Sequence, residues 1–237
     1  LQLPEKIAIE KGIQIVICID EFQQISDFED SKTFQKKLRS VWQLQQHVSY
    51  CLFGSKKHLM NELFEKKNLP FYKFGDAIYL AKIETKYWIE YICKRFENTG
   101  KHISPELAEE ICRLVDNHSS YVQQLSWLLW IRTINTATTE QLSYALEDLL
   151  DQNNILFQSE TENLSAYQMN FLKAIVDGIH TKFSSKEVIS KYNLGTSANI
   201  VRLKNALLQK ELIETNGKEI VLADPVFEVW FKKEMLY

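Results

Sequence analysis

The chain has 237 residues, 45% apolar and 12% aromatic, with 28 Lys and Arg against 31 Asp and Glu and a formal net charge of −3. This composition supports a substantial core, divided among two or three units, and it excludes a surface given over entirely to nucleic acid. No apolar run approaches the roughly 20 residues a bilayer requires. No export leader is recognisable, and Cys18, Cys51, Cys93 and Cys112 form no CxxC pair. The expectation is therefore a cytoplasmic protein without a membrane partner, whose thiols are buried and reduced.

Ile13 to Gln23 reads IQIVICIDEFQ, a β-branched apolar run that ends in two adjacent carboxylates, Asp20 and Glu21. A strand of Ile15, Val16, Ile17, Cys18 and Ile19 has no polar alternation, which predicts a parallel sheet covered on both faces by helices. Open α/β sheets bind ligands outside the carboxyl ends of their strands. At that edge Asp20 would hold Mg²⁺ and Glu21 would polarise the water that attacks a γ-phosphate. An acidic helix start after a strand is the competing explanation. The glycine-rich phosphate loop GxxxxGK[ST] does not occur in the 237 residues, and Gly54-Ser55-Lys56-Lys57 lacks its spacing. We therefore expect the chain to be a fragment without the phosphate-binding part of its ATPase core and, as it stands, without turnover.

Ser31 to Gln45 has helical spacing and predicts a crossover helix into a second strand, Val48 to Phe53. The resulting parallel βαβ unit brings Ser55 to the same sheet edge as Asp20, where it could touch phosphate or cap the helix Lys56 to Phe64. A third strand is expected at Ala77 to Ile83. Four helices follow, starting near Thr85, at Ser104-Pro105, over Ser119 to Ile134 and over Thr138 to Leu150, with Trp127 and Trp130 expected in their core. Polar residues from Asp151 to Ser165 predict a linker anchored by Ile155, Leu156 and Phe157. Capping boxes at Ser165/Gln168 and Ser184/Glu187, a helix from Thr196 or Ser197 to Lys210, and a hairpin about Asn216-Gly217 then spell a winged helix-turn-helix. The fold class is thus part of an α/β P-loop core over 1–84, a helical lid over 85–152, a linker over 153–163 and a winged helix over 164–237.

Ile19-Asp20-Glu21-Phe22-Gln23, Leu52-Phe53-Gly54-Ser55 and the lid stretch Asn117 to Leu125 resemble, in order, the Walker B, sensor and lid motifs of archaeal-type ATPases of the AAA+/STAND superfamily. The resemblance spans nearly the whole chain. The usual Pro of the lid motif is replaced by the Ser119-Ser120 pair, and an Arg common in relatives is absent after Gly75. What the resemblance implies is an ATPase using ATP and Mg²⁺ in the intact protein, with Asp20 at the metal, Glu21 activating water and Ser55 sensing the γ-phosphate. His118 and Tyr121 are then candidates for the nucleotide-facing side of the lid, and Arg95 and Arg113 for reaching phosphate.

On the third helix of the winged domain Ser197, Asn199, Arg202 and Lys204 are candidate DNA contacts, with Lys218 on the wing. Glu211, Glu214 and Glu219 oppose that role in charge, and protein contact or self-association competes with it. The alternative for the whole chain is a non-catalytic winged-helix module whose sheet is scaffold.

Overall fold

The computed structural model describes residues 1–235, apart from the side chains of Lys57 and His58. The chain divides into two compact units, Leu1–Leu80 and a second beginning at Ala81. In the first, helix α1 (Leu3–Lys11) ends at Gly12, whose φ of 62° lets its N–H close on the carbonyls of Ala8 and Ile9. Strand β1 (Ile15–Ile19), a 3-10 turn (Phe22–Asp27), α2 (Ser31–Trp42), β2 (Val48–Leu52) and α3 (Lys57–Glu65) follow. β1 and β2 pair in parallel, from Ile15 beside Val48 to Ile19 beside Leu52, with α2 as the crossover. The Glu5 carboxylate of α1 holds His47 Nδ1 at 2.9 Å and accepts the N–H groups of Gln46 and His47, which fastens the helix to the start of β2.

The core of this unit is aromatic. Leu38 and Trp42 of α2 are buried with Phe22, Ile25, Leu63 and Phe71, and the Trp42 ring stacks on Tyr50 of β2 at 4.0 Å. The Arg39 guanidinium donates to the carbonyls of Pro70 and Tyr72 and lies over Phe74, so it ties the segment after α3 to α2.

The sheet departs from the expected one in two respects. Among the described residues only one of its faces is covered: Val16 is 65% exposed and Cys18 and Cys51 are open to solvent, while Cys93 elsewhere is half-buried. Cys112 does lie in a core, where burial raises its thiol to about 11. The expected third strand is also missing. Among the described residues Ala77 to Ile83 pairs with no strand, and Ile78 and Leu80 are 85% and 92% exposed. Apolar β-branched sequence alone does not make a strand when the backbone finds no partner.

The second unit holds α4 (Thr85–Glu97), α5 (Pro105–Leu114), α6 (Ser119–Arg132) and α7 (Thr139–Glu162), then α8 (Ala166–Val176), α9 (Lys186–Tyr192), α10 (Ser197–Gln209), the hairpin β3 (Ile213–Asn216) and β4 (Glu219–Leu222), and α11 (Pro225–Met235). Ser104 caps α5, and full capping boxes at Thr138/Gln141 and Ser165/Gln168 open α7 and α8. The α9 cap is Ser185 rather than Ser184. β3 and β4 are antiparallel with Asn216 opposite Glu219, so Gly217 (φ 61°) and Lys218 form the loop, one residue later than expected.

The expected linker is helical, because α7 runs through 153–162. The segment contains no Gly or Pro, and its polar side chains serve the helix. Asn153 Nδ2 donates to the Leu149 carbonyl, Thr161 Oγ1 donates to that of Phe157, and Asn154 Oδ1 accepts from Trp230 Nε1. Phe157 is buried against Phe227 and Trp230 of α11, whereas Ile155 and Leu156 are exposed. Helix α11 was not anticipated, although Asp224 accepting from the N–H groups of Val226 and Phe227, with Pro225 next, is a readable start signal. Among the described residues no helix is long and apolar enough to cross a membrane.

Candidate functional site

The two parallel strands end side by side. Phe53 N–H donates to the Ile19 carbonyl and Phe22 N–H donates to the Phe53 carbonyl, at 3.1 and 3.0 Å, so Asp20-Glu21 and Gly54-Ser55 emerge next to each other. The chain turns sharply there, with Glu21 in the left-handed region at φ 48°, a conformation that costs a non-glycine residue about 1–3 kcal/mol and clusters at functional sites. Asp20 Oδ1 accepts the Glu21 N–H at 2.8 Å. The turn aims the Glu21 carboxylate across the strand gap, where Ser55 Oγ donates to Oε1 at 3.0 Å and the Gln23 amide donates to Oε2. Those two bonds, Gln23 first and Ser55 next, hold Glu21 below the usual carboxylate range, and it is an ionised acceptor at neutral pH.

The exposed Asp20 supplies a hard oxygen donor. Among the described residues no group of three His, Cys, Asp or Glu could enclose an ion. An edge bearing one or two carboxylates fits Mg²⁺, which keeps its waters and shares substrate phosphates, better than a metal needing a protein cage.

Gln23 was not singled out from the sequence. It is buried, and its Oε1 lies where a β-carbon on Gly54 would come within 1.9 Å. Gly54 thus leaves room for the amide that orients Glu21. Replacement Gly54→Ala is expected to expel Gln23, remove its bond to Glu21 and raise the carboxyl toward its ordinary value; NMR titration of Glu21 that finds no upward movement would count against this packing.

In the second unit His118 precedes α6 without capping it. Its ring lies 4.7 Å from that of Tyr121, and its Nδ1 is buried without a protein partner. Tyr121 is buried and donates its hydroxyl to Asp224 Oδ2 at 2.5 Å, so this residue of α6 is engaged by the cap of α11. Burial, then the Asp224 charge, raise the carboxyl of nearby Glu160. A raised carboxyl binds its proton more tightly in the folded chain than in the unfolded one, so stability falls as pH rises from the ordinary Glu range through the raised value. Glu160→Gln should therefore increase the melting temperature at pH 7 and lose that advantage near pH 4, as followed by calorimetry. Arg113 pairs with Glu110, and the Arg95 guanidinium lies 5.1 Å from the Tyr91 ring.

Of the DNA candidates, Ser197 and Arg202 are exposed on α10, Lys204 is half-buried, and Lys218 is exposed in the β3–β4 loop. Asn199 Nδ2 donates to the Leu194 carbonyl and so braces the turn before α10. Asp20, Glu21 and Ser55 are therefore brought together in one unit, while His118, Tyr121 and the α10 residues belong to the other.

Residues 155–233 match a family model described as "Probable winged helix domain". Among solved structures, the chain is similar to the Walker-type ATPase PABY2304 of Pyrococcus abyssi (17% identity, TM-score 0.73, over 97% of this chain and 66% of that one). It is also similar to the ORC2 protein of Aeropyrum pernix, solved as ADPNP and ADP complexes (12% identity, TM-score 0.58, over 99% of this chain and 70% of that one). A search of curated proteins returns no match. The chain thus spans just under two thirds of the Pyrococcus ATPase. Together with the β1–α2–β2 edge, these likenesses show that the chain has the fold of Walker-type P-loop ATPases, mostly helical with a small parallel sheet, and carries a winged-helix domain at its C-terminal end.

Proposed function

We propose that the intact protein is a switch driven by Mg-ATP hydrolysis whose winged helix contacts DNA or a protein partner, with the phosphate-cradling loop supplied from outside these 237 residues. The observation that carries this reading is the Glu21 carboxylate, held ionised by Ser55 and Gln23 at the carboxyl ends of two parallel strands. In that position Glu21 accepts a proton from the attacking water, Ser55 stands beside both the carboxylate and the expected γ-phosphate, and Asp20 presents oxygen to Mg²⁺, which when bound offsets phosphate charge. The 237 residues contain no glycine-rich phosphate loop, so this chain alone should hydrolyse nothing.

The test is nucleotide binding and hydrolysis by the full reading frame beside its Asp20→Ala variant. Magnesium-dependent ATP binding that weakens in Asp20→Ala supports the switch, and failure to bind ATP at all leaves the sheet as scaffold. For the winged helix, exposed Arg202 and Lys218 favour DNA, and exposed Glu214 and Glu219 favour protein contact. A gel shift at low salt, where phosphate contacts bind most tightly, should weaken in Arg202→Ala if DNA is the partner; no bound species assigns the domain to protein contact.

A further inference from the structure

Helices α4 and α6 line an open groove of about 530 Å³ that includes none of Asp20, Glu21 and Ser55. Tyr91 and Arg95 come from α4, and Ser126, Trp127 and Trp130 from α6. The sequence spacing predicts Trp127 and Trp130 as core, but Trp127 is 56% exposed. A tryptophan this open, beside exposed Tyr91 and one turn from exposed Ile131, is the type of residue that anchors interfaces. The groove floor contains an unsatisfied group: Ser126 Oγ is buried with no protein partner.

The charge at the groove has one sign. Arg95 lies over Tyr91 and meets no carboxylate among the described residues, and Lys101 Nζ sits 4.1 Å from the Trp130 ring centroid. Glu90 and Glu97 fall on the other side of α4 by its 3.6-residue period, along the stripe of Cys93, whose thiol the Glu97 charge helps to raise. Two cations are too few for a phosphate backbone, and aliphatic Ile131 continues the surface where a nucleic acid would require more charge. Symmetric pairing of the groove with its own copy would offer Arg95 no carboxylate, since the lining has none.

We infer that the α4–α6 groove docks an acidic amphipathic segment of a partner protein, with a bulky apolar side chain between Tyr91 and Trp127 and a carboxylate on Arg95. This is the helix-in-groove mode, in which apolar anchors provide contact area and a charge sets the register. It gives Arg95 a carboxylate partner in place of the phosphate that the family resemblance implies.

The test selects peptides from a random 12-residue display library on the 237-residue chain and measures the enriched peptides by fluorescence anisotropy. Enriched sequences should pair an aromatic or leucine anchor with Asp or Glu. Trp127→Ala and Arg95→Glu should each weaken them at least tenfold without changing the thermal melt, because both residues are exposed. Replacing the peptide carboxylate with Lys should restore binding to Arg95→Glu. Three results would overturn the inference: no enrichment, enriched peptides that bind both variants like the unmodified chain, or self-association in sedimentation that Trp127→Ala abolishes.

Discussion

Glu21→Gln in the intact protein should lower ATP turnover about 10²- to 10⁴-fold, the usual contribution of a positioned general base, while ATP binding persists. Gln occupies the same volume but cannot accept the proton of the attacking water. The surroundings tolerate the change: Gln23 Oε1 has no partner, so a flip of that amide lets it accept from the new side chain while Ser55 still donates to the other side. Structure and binding are thereby kept apart from chemistry. Because Gln23 and Ser55 hold Glu21 below the ordinary carboxylate range, the base stays ionised through neutral pH, and activity should fail on the acid side only beneath that range. Ser55→Ala removes the hydroxyl's bonds, leaves that of the backbone N–H, and should move the acid limb upward. Turnover that survives Glu21→Gln would remove the catalytic assignment of this edge, and joint loss of binding and turnover would indicate a structural role instead.

The parts of this edge that were legible in the sequence are those decided by local rules. An apolar β-branched run ending in Asp20-Glu21 is a strand, and a helix-length crossover into Val48 forces the second strand parallel, so Ser55 had to arrive beside Glu21. The capping boxes at Thr138 and Ser165 depend on neighbours three residues apart and are equally local signals. The left-handed turn at Glu21 was not. It arises because Phe22 is drawn into the aromatic core while its N–H closes on Phe53, and it brings Gln23 under the carboxylate. The helical course of α7 through 153–162 was hidden for the opposite reason. Asn153, Asn154 and Thr161 score as loop residues in isolation, and it is Phe157 docking on α11 that keeps them helical. The uncovered face of β1 leaves no mark in composition, since Val16 and Cys18 read as core whether or not a helix lies over them.

Phe71→Ala should destabilise the first unit by about 3–5 kcal/mol, the usual range for emptying a fully buried aromatic site. Phe71 is 0% exposed and is the centre of the cluster, with ring centroids of Phe22, Trp42, Phe64 and Phe74 at 5.4, 5.8, 5.8 and 5.3 Å. The unit has few means of compensating. It has one two-stranded sheet, one covered face and a core of six buried side chains, and domains have only about 5–15 kcal/mol of stability in total. The consequence reaches the chemistry through Phe22, which follows Glu21 directly and packs edge-on against Phe71; losing that contact loosens the left-handed turn that aims the carboxylate. The second unit has its own core around Ile111, Leu125, Phe171 and Phe227, so its unfolding should be unchanged. Hydrogen exchange separates the two: amides of β1 and β2 should exchange faster by a factor of hundreds or more in Phe71→Ala, while those of α6 and α8 keep their rates. Equal acceleration in both units would show that the chain unfolds as one body, and unchanged protection of β1 would show that the sheet is held by something other than its aromatic core.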